Sequence, residues 1–229
     1  MLKKAFIVVL LLALMLSVSG CKKETGDPMD NPAPAEGKVL SFDTEEDFIK
    51  HIQKSKEVQE ILLSKESPEN VEANTVSVYL PNVPDNFELY KIEIEKPYIL
   101  TRYRTEKPVN NELRERYDAP AGEREETTQT AEEMENEVLL STTMVFVWNY
   151  VEEGKPALEE VVKNCELIES GVPGYYYAYY GLGYSVYWEE NGHTLQVNFP
   201  TPEKDMPVKE LIEQNKQFFT AKIMPLKLK

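Results

Sequence analysis

The stretch SVYWEENGHTLQVNF, residues 185–199, decides the fold because it holds two alternating runs joined by Asn191-Gly192. Both residues of an Asn-Gly pair tolerate a positive φ angle, which a two-residue type I′ turn requires. Alternation of apolar and polar residues is typical of strands that bury one face. The stretch therefore predicts a β-hairpin of two antiparallel strands, 185–188 and 194–199.

Further alternation indicates more strands on the N-terminal side of this hairpin. The predicted strands cover residues 76–80, 87–94, 98–104, 138–140, 142–150, 167–168 and 175–180, and the first hairpin strand extends back to residue 184. Within 87–94 the alternation changes phase, because Phe87 and Leu89 follow one phase and Tyr90, Ile92 and Ile94 the other. One extra residue in a strand produces such a shift, so the pattern predicts a β-bulge near Tyr90.

Helical spacing of apolar residues occurs near both ends of the body. The first run spans 48–62, begins after a capping signal at Asp43 or Thr44 and is predicted to break near Ser55. The second spans Pro207 to about Phe219. Together these patterns predict a single α+β domain, residues 39–229, whose antiparallel twisted sheet carries an N-terminal helix and a C-terminal amphipathic helix.

An acidic segment at about 105–137 interrupts these patterns. Prolines, Asn110-Asn111 and a crowd of glutamates in its second half predict a long exposed loop. A calcium or other cation site is the alternative reading of so many acids. The loop reading is favoured because the Asp-x-Asp-x-Asp-Gly ligand spacing is absent from the sequence.

The N-terminus reads as an export signal. Lys3 and Lys4 precede an apolar run, residues 5–18, that is shorter than the roughly 20 residues needed to span a membrane. The run ends in Val18-Ser19-Gly20-Cys21, which resembles the lipobox of bacterial lipoproteins. That resemblance implies cleavage of a signal peptide, residues 1–20, and lipidation of Cys21. An ordinary secretory signal is the alternative.

Residues 21–38 predict a flexible tether, because they are rich in Lys, Glu, Gly, Asp, Pro and Ala and offer almost nothing to bury. Two acyl chains on Cys21 satisfy the requirement for durable anchoring. We therefore expect a protein that is lipid-anchored at the cell membrane on its extracytoplasmic face. The formal net charge of −15 repels phosphate backbones, so nucleic acid is not an expected partner.

Three motifs resemble a family of extracellular modules of unknown function. They are Leu80-Pro81-Asn82-Val83-Pro84-Asp85-Asn86-Phe87, Val186-Tyr187-Trp188-Glu189-Glu190-Asn191-Gly192 and Glu210-Leu211-Ile212. Members of that family occur in Gram-positive lipoproteins and in anti-sigma-factor-like proteins. The resemblance covers residues 76–219 and implies a fold rather than an activity. The chain departs from the family in the acidic segment and in Gln217-Phe218-Phe219, where a small residue and serine are more usual.

Candidate reactive side chains are few. Cys165 has no second cysteine to pair with once Cys21 is acylated, and its apolar neighbours predict a small buried side chain rather than a nucleophile or a dimer bridge. His51 and His193 are both predicted to be exposed. No hydrolase elbow, zinc helix, phosphate loop or dinucleotide motif occurs, so no catalytic residue, metal or cofactor is expected.

Aromatic residues concentrate in two adjoining predicted strands. Alternation places Tyr175, Tyr177 and Tyr179 on one face of their strand and Tyr176 and Tyr180 on the other. Exposed rings often bind ligands, although these tyrosines could instead pack beneath helices. The candidate ligand-binding residues are Tyr175, Tyr177, Tyr179, Tyr184 and Trp188, for a glycan, peptide or protein ligand.

Two functions from different classes remain open after this reading. The favoured one is a non-catalytic binding or sensory module of an extracytoplasmic lipoprotein. The alternative is an exported hydrolase that acts on cell-wall polymers through paired carboxylates, since acids are abundant. The sequence leaves the ligand and the oligomeric state undetermined.

Overall fold

The computed structural model describes residues 39–95, 98–119, 130–149, 158–179, 182–203 and 205–228. The predicted signal peptide 1–20, the tether 21–38 with Cys21, and Tyr180 lie outside the described residues. No helix in the described part of the chain is long and apolar enough to cross a membrane.

Ten strands and eight helical elements make up the described part of the chain. The strands are β1 Leu40–Phe42, β2 Thr75–Pro81, β3 Glu88–Glu95, β4 Tyr98–Arg104, β5 Thr143–Asn149, β6 Ile168–Glu169, β7 Tyr176–Tyr179, β8 Gly183–Glu190, β9 His193–Pro200 and β10 Ala221–Lys227. The α-helices are α1 Glu45–Ile52, α2 Lys56–Leu63, α3 Pro68–Glu72, α4 Asn111–Asp118, α5 Ala131–Thr142, α6 Leu158–Asn164 and α7 Val208–Gln214, and a short 3₁₀ helix spans Lys216–Phe219.

Eight of the strands form one sheet in the order β1-β3-β4-β5-β9-β8-β7-β6, while β2 and β10 form a separate ribbon. Every recorded pairing is antiparallel. The prediction of an α+β fold built on a large antiparallel sheet is therefore confirmed.

The hairpin that anchors this sheet is the one the sequence predicts. Glu190 lies opposite His193, and the turn residues Asn191 and Gly192 have φ angles of 51° and 74°. Because both angles are positive, the turn follows the right-handed twist of the strands that it joins. The hairpin joins β8 and β9 as neighbouring strands of the large sheet.

Two finer local predictions are also confirmed. The register between β3 and β4 shifts between Leu89 and Lys91, which is the bulge expected near Tyr90. The first helical run breaks at Ser55, whose hydroxyl accepts a hydrogen bond from the Val58 amide and so caps α2.

The acidic segment needs a correction, because much of it is helical rather than a loop. Asn110 Oδ1 accepts from the Leu113 amide and caps α4. Thr130 and Glu133 form a reciprocal capping box that begins α5. These caps and the following helix-forming glutamates prevail over the composition that suggested a loop. The helix α5 includes residues 138–140 and Thr142, which the sequence predicted as strand, and residues 120–129 lie outside the described chain.

The C-terminal part also differs from the prediction. The α-helix ends at Gln214, a 3₁₀ helix follows, and the last described element is the strand β10 rather than a helix. Strand β10 pairs with β2 along Ala221 to Lys227. The alternation in this strand is obscured by Lys222 and Pro225, so the sequence pattern gave no strand signal there.

The main hydrophobic core lies on one face of the eight-stranded sheet, called the core face below. The sheet contributes the fully buried side chains Ile92, Ile99, Phe146, Trp148, Val186 and Leu195. They pack against Phe48 and Ile52 of α1, Leu211 and Ile212 of α7, Phe219, and the apolar residues of β2. Burial of this apolar surface is the principal stabilising term of the fold.

The prediction that His51 is exposed is wrong, because its side chain is partly buried and its Nε2 is fully buried. The prediction that His193 is exposed is wrong, because it is 7% exposed and its Nδ1 accepts from Trp148 Nε1 at 3.4 Å. Tyr79 of β2 covers it with ring centroids 4.6 Å apart, a contact over more than a hundred residues of sequence. Cys165 is partly buried against the smaller cluster of Leu158, Leu167 and Tyr187.

Candidate functional site

The candidate tyrosines lie where β7 and β8 approach one edge of the large sheet. Strand β7 pairs with all four opposing residues of β8, and β6 pairs with it on the other side only at Tyr176 and Tyr177. Tyr175 and Tyr177 pack against the core, and Tyr179 pairs with Tyr184 on the same face, in line with the predicted alternation. Tyr184 and Trp188 of β8 lie on the same face.

Tyr175 and Trp188 belong to the interior of this site. Trp188 is only 3% exposed, and its Nε1 donates to Glu190 Oε2 at 3.3 Å. The Tyr175 hydroxyl donates to the Phe219 carbonyl at 3.0 Å, and its ring lies 6.3 Å from that of Trp188. Burial, with a smaller contribution from Glu190, raises the pKa of Tyr175. These two side chains therefore support the site from below and offer little surface to a ligand.

Tyr177, Tyr179 and Tyr184, called the tyrosine triad below, form the outer part of the site. The Tyr184 ring makes edge contacts with both partners, with centroids 5.4 Å from Tyr177 and 5.5 Å from Tyr179. Its hydroxyl donates to the Met206 carbonyl at 2.6 Å. Burial first, and then the neighbouring tyrosines and Asp205, raise the pKa of Tyr184. The hydroxyl thus stays protonated as a donor, and the ring that supports Tyr179 is held in place.

Tyr179 is the exposed member of the triad. Its side chain is 52% exposed, whereas Tyr177 and Tyr184 are half-buried. Ile168 of β6 pairs directly with Tyr177 and is 55% exposed on the same side. The two exposed side chains make an apolar patch at the sheet edge.

The second set of tyrosines is not available as a surface. Tyr176 points to the opposite face of the sheet, where it packs with Ala178 against the cluster of Leu158, Leu167 and Tyr187. The helix α6 covers that cluster through Val161 and Val162. Neither alternating set is therefore exposed as a whole, and the accessible aromatic area comes from one end of the first set.

Acidic side chains outnumber basic ones on the segments next to the triad. Glu166, Glu169, Glu203 and Asp205 are exposed on the segments that adjoin the triad, together with Lys163 and Lys209. Gly171 has a φ angle of +80° and lies beside α7, where a Cβ would be in ordinary contact with the Lys209 side chain at 3.5 Å. The excess of carboxylates disfavours an anionic ligand at this edge.

A polar network that the sequence analysis missed lies on the opposite face of the sheet, called the polar face below. Ser185 Oγ donates to Asn198 Oδ1 at 2.7 Å, and Gln196 Nε2 donates to the same oxygen at 2.8 Å. All three side chains are at most 6% exposed. Their alternation with the apolar residues of the hairpin was the available signal, but it suggested a solvent-facing side.

An ion pair extends the polar face towards β3 and β4. Arg102 Nε lies 2.8 Å from Glu93 Oε2, with exposed side-chain fractions of 7% and 15%. Lys91 also approaches Glu93, at 3.6 Å. In register, Arg102 faces Val145 and Val145 faces Asn198, so the pair and the amide network lie on adjacent strands.

The described residues include no group of three or more His, Cys, Asp or Glu side chains that could hold a metal ion. The chemistry that the arrangement offers is contact through a supported aromatic ring, an adjacent aliphatic side chain and hydrogen bonds at the sheet edge. Comparisons of the chain with protein families, with curated proteins and with solved structures gave no match. The family resemblance drawn from the motifs therefore stays a prediction.

Proposed function

We propose that this chain is a lipid-anchored, extracytoplasmic lipoprotein whose folded body is a non-catalytic binding module. We assign the lipid anchor to Cys21 because the sequence Val18-Ser19-Gly20-Cys21 resembles a lipobox. Cys21 lies outside the described residues. Residues 21–38 would then hold the body away from the lipid surface. Within the body, we assign to α1 and α7 the role of covering the core face.

The observation that carries the binding proposal is the supported exposure of Tyr179. Its ring is half exposed, yet the edge contact with Tyr184 and the bond from Tyr184 to Met206 restrain the layer beneath it. A ring that is already ordered loses little conformational entropy on binding, and its large face offers contact area. The ligand class remains a glycan, a peptide or a protein, with nucleic acid disfavoured by charge.

The binding proposal is tested by comparing Tyr179→Ala with Tyr117→Ala. Tyr117 on α4 is 50% exposed, so it matches Tyr179 in exposure but lies outside the triad. Wild type and both variants are screened against soluble cell-wall oligosaccharides and a panel of short peptides. Loss of a captured ligand in Tyr179→Ala alone, with an unchanged melting temperature, supports the site. Equal capture by all three proteins overturns it.

The anchor is tested separately with Cys21→Ser. This change removes the thiol that accepts the lipid, so the variant should not incorporate a labelled fatty acid and should keep its leader. Wild type provides the positive control in the same cells. Equal labelling of the two proteins would refute the assignment of Cys21 without affecting the proposed binding surface.

A further inference from the structure

Three tyrosine side chains in the described part of the chain are about half exposed, and they differ in what lies against their rings. They are Tyr90 at 47%, Tyr117 at 50% and Tyr179 at 52%. The guanidinium carbon of Arg104 lies 3.6 Å from the ring centroid of Tyr90, so a cation of the protein itself already covers that ring. Among the described residues, no cation lies over Tyr179. Its exposed ring is therefore able to receive a cation from a ligand.

The neighbouring rings restrain Tyr179 and give the site two walls. Tyr179 and Tyr184 are directly opposite each other on β7 and β8, and the planes of their rings are inclined by 64°. The ring planes of Tyr177 and Tyr184 are inclined by 81°. Two inclined rings can contact one rounded group from two directions, whereas stacked rings offer only an outer face. An ammonium group with its methyl substituents has this rounded shape.

Charge around the triad favours a cation over an anion. The Tyr184 hydroxyl donates to the Met206 carbonyl at 2.6 Å, and the residue before Met206 is the exposed Asp205. The Asp205 carboxylate lies close enough to add to the rise in the pKa of Tyr184, after burial and the other two tyrosines. Aromatic ring faces are themselves negative, and the chain has a formal net charge of −15. The ring face and the wider field therefore attract the same sign of charge.

The aliphatic surface beside the rings selects the kind of cation. A lysine ammonium is compact and strongly hydrated, so its transfer to a ring face costs free energy unless acceptors replace its water. A quaternary ammonium has no N–H donors, and its methyl groups pack on aromatic and aliphatic side chains. Ile168 supplies an aliphatic side chain, since it is 55% exposed and lies diagonal to Tyr179 across β6 and β7. The site thus suits a quaternary ammonium better than a lysine side chain.

We propose that Tyr179, Tyr184 and Ile168 bind a quaternary ammonium group, of the kind that choline carries, with the cation over the Tyr179 ring. This inference rests on the proposed function, since it names the chemical group that the same site recognises. Tyr184 restrains the ring and bounds the site, and Ile168 contacts the methyl groups. Asp205 acts at longer range and raises the local concentration of cations.

The test measures the affinity of the full chain for choline by isothermal titration calorimetry in a non-ionic detergent. Two matched probes accompany choline. Dimethylbutanol, in which carbon replaces the quaternary nitrogen, keeps the shape and loses the charge, whereas ethanolamine keeps the charge and loses the methyl groups. We expect each probe to bind at least about tenfold more weakly than choline. Titration with a phosphocholine-bearing oligosaccharide and sedimentation with phosphatidylcholine vesicles then distinguish a glycan from a lipid as the carrier, and binding to either supports the site.

The protein variants locate the cation on the Tyr179 ring. Tyr179→Ala should weaken choline binding about tenfold or more, whereas Tyr179→Phe keeps the ring and should stay within about twofold of wild type. Tyr117→Ala removes an equally exposed ring outside the triad and should leave the affinity unchanged. Asp205→Asn should weaken binding by about twofold at low salt, and that difference should disappear at high salt.

Several outcomes overturn the quaternary-ammonium site. They are equal affinity for choline and dimethylbutanol, absence of choline binding by wild type, and unchanged choline binding in Tyr179→Ala. If the site fails in one of these ways while an oligosaccharide or peptide is still lost in Tyr179→Ala, the proposed binding function stands. If no ligand depends on Tyr179, both proposals fail.

Discussion

The two faces of the eight-stranded sheet bury different chemistry. The core face carries the apolar residues of alternate positions, such as Phe146 and Leu195, beneath a layer of helices and the β2–β10 ribbon. The polar face buries an ion pair and an amide network within neighbouring strands. Apolar packing tolerates rearrangement more readily than a buried polar group tolerates the loss of its partner. Single substitutions on the two faces should therefore destabilise the protein by different mechanisms.

The largest loss is expected on the core face, from Trp148→Ala. Trp148 is fully buried between β2 and the hairpin, with the Tyr79 ring 5.1 Å away. Truncation leaves a large cavity and removes the donor to His193, so the free energy of unfolding should fall by about 4 kcal/mol. The free energy of unfolding is measured by urea titration, with circular dichroism as the signal. Trp148→Phe is the control and should cost clearly less, whereas a loss below about 1 kcal/mol in the alanine variant would contradict the assigned core.

The corresponding change on the polar face is Arg102→Ala. It leaves Glu93 only 15% exposed and without the cation that lies 2.8 Å away. Removal of one partner from a fully buried pair costs about 3 kcal/mol. We expect a loss slightly below that value, because Lys91 Nζ still lies 3.6 Å from Glu93 Oε1 in the variant.

A double variant separates this mechanism from simple loss of packing. Glu93→Leu combined with Arg102→Leu removes both charges, so it should be more stable than Arg102→Ala in the same urea assay. If the double variant is the less stable protein, the pair stabilises by its own attraction and the contrast between the two faces is wrong.

A smaller loss is expected at the turn that joins the two central strands, in Gly192→Val. Gly192 has a φ of +74°, and a Cβ there would meet nothing within 4 Å. Backbone strain is then the only cost, about 2 kcal/mol. Gly192→Asn should cost less, because asparagine adopts positive φ more readily than valine. An unchanged urea midpoint for the valine variant would mean that the turn does not need this conformation.

The sequence predicts this molecule well where the deciding interactions are local. The hairpin follows from the Asn191-Gly192 pair and the adjoining alternation, and the bulge near Tyr90 follows from a change of phase. The caps at Asn110 and Thr130 are equally local, but the loop prediction rested on the acidic composition and the prolines of the segment. The prediction failed there because a capping side chain accepts from a free amide of the first helical turn and so favours the start of a helix, which composition does not show.

The remaining errors involve contacts between distant segments. Alternation correctly groups Tyr175, Tyr177 and Tyr179, but it cannot say that the 3₁₀ helix contacts the first of them through Phe219 while the last stays exposed. His193 was predicted to be exposed because it follows a turn, whereas Tyr79 from β2 covers it. Burial on the polar face was missed for the same reason, because the side of a strand does not identify the element packed against it.

The smallest expected effect is on the pH dependence of stability. It arises from the titration of His51, which lies in the helical layer that covers the core face. This side chain lies on α1 with its ring 5.2 Å from that of Phe42, and its Nε2 is buried without a hydrogen-bond partner. Burial disfavours the charged form and lowers the pKa of His51 below its usual 6.5. The unfolded chain therefore binds the proton more readily than the folded one.

The sign of the pH dependence follows from that difference. The contribution of neutral His51 is fully present above about pH 6.5 and is lost as the pH falls towards its lower folded pKa. Urea unfolding between pH 7.5 and pH 5 should thus show wild-type stability declining more steeply than that of His51→Gln, which cannot gain this charge. Because the carboxylates titrate in both proteins, their shared pH dependence cancels in the comparison. Parallel curves would indicate that His51 is as well solvated in the folded protein as in the unfolded chain, and that the covering layer over Phe42 is open to water.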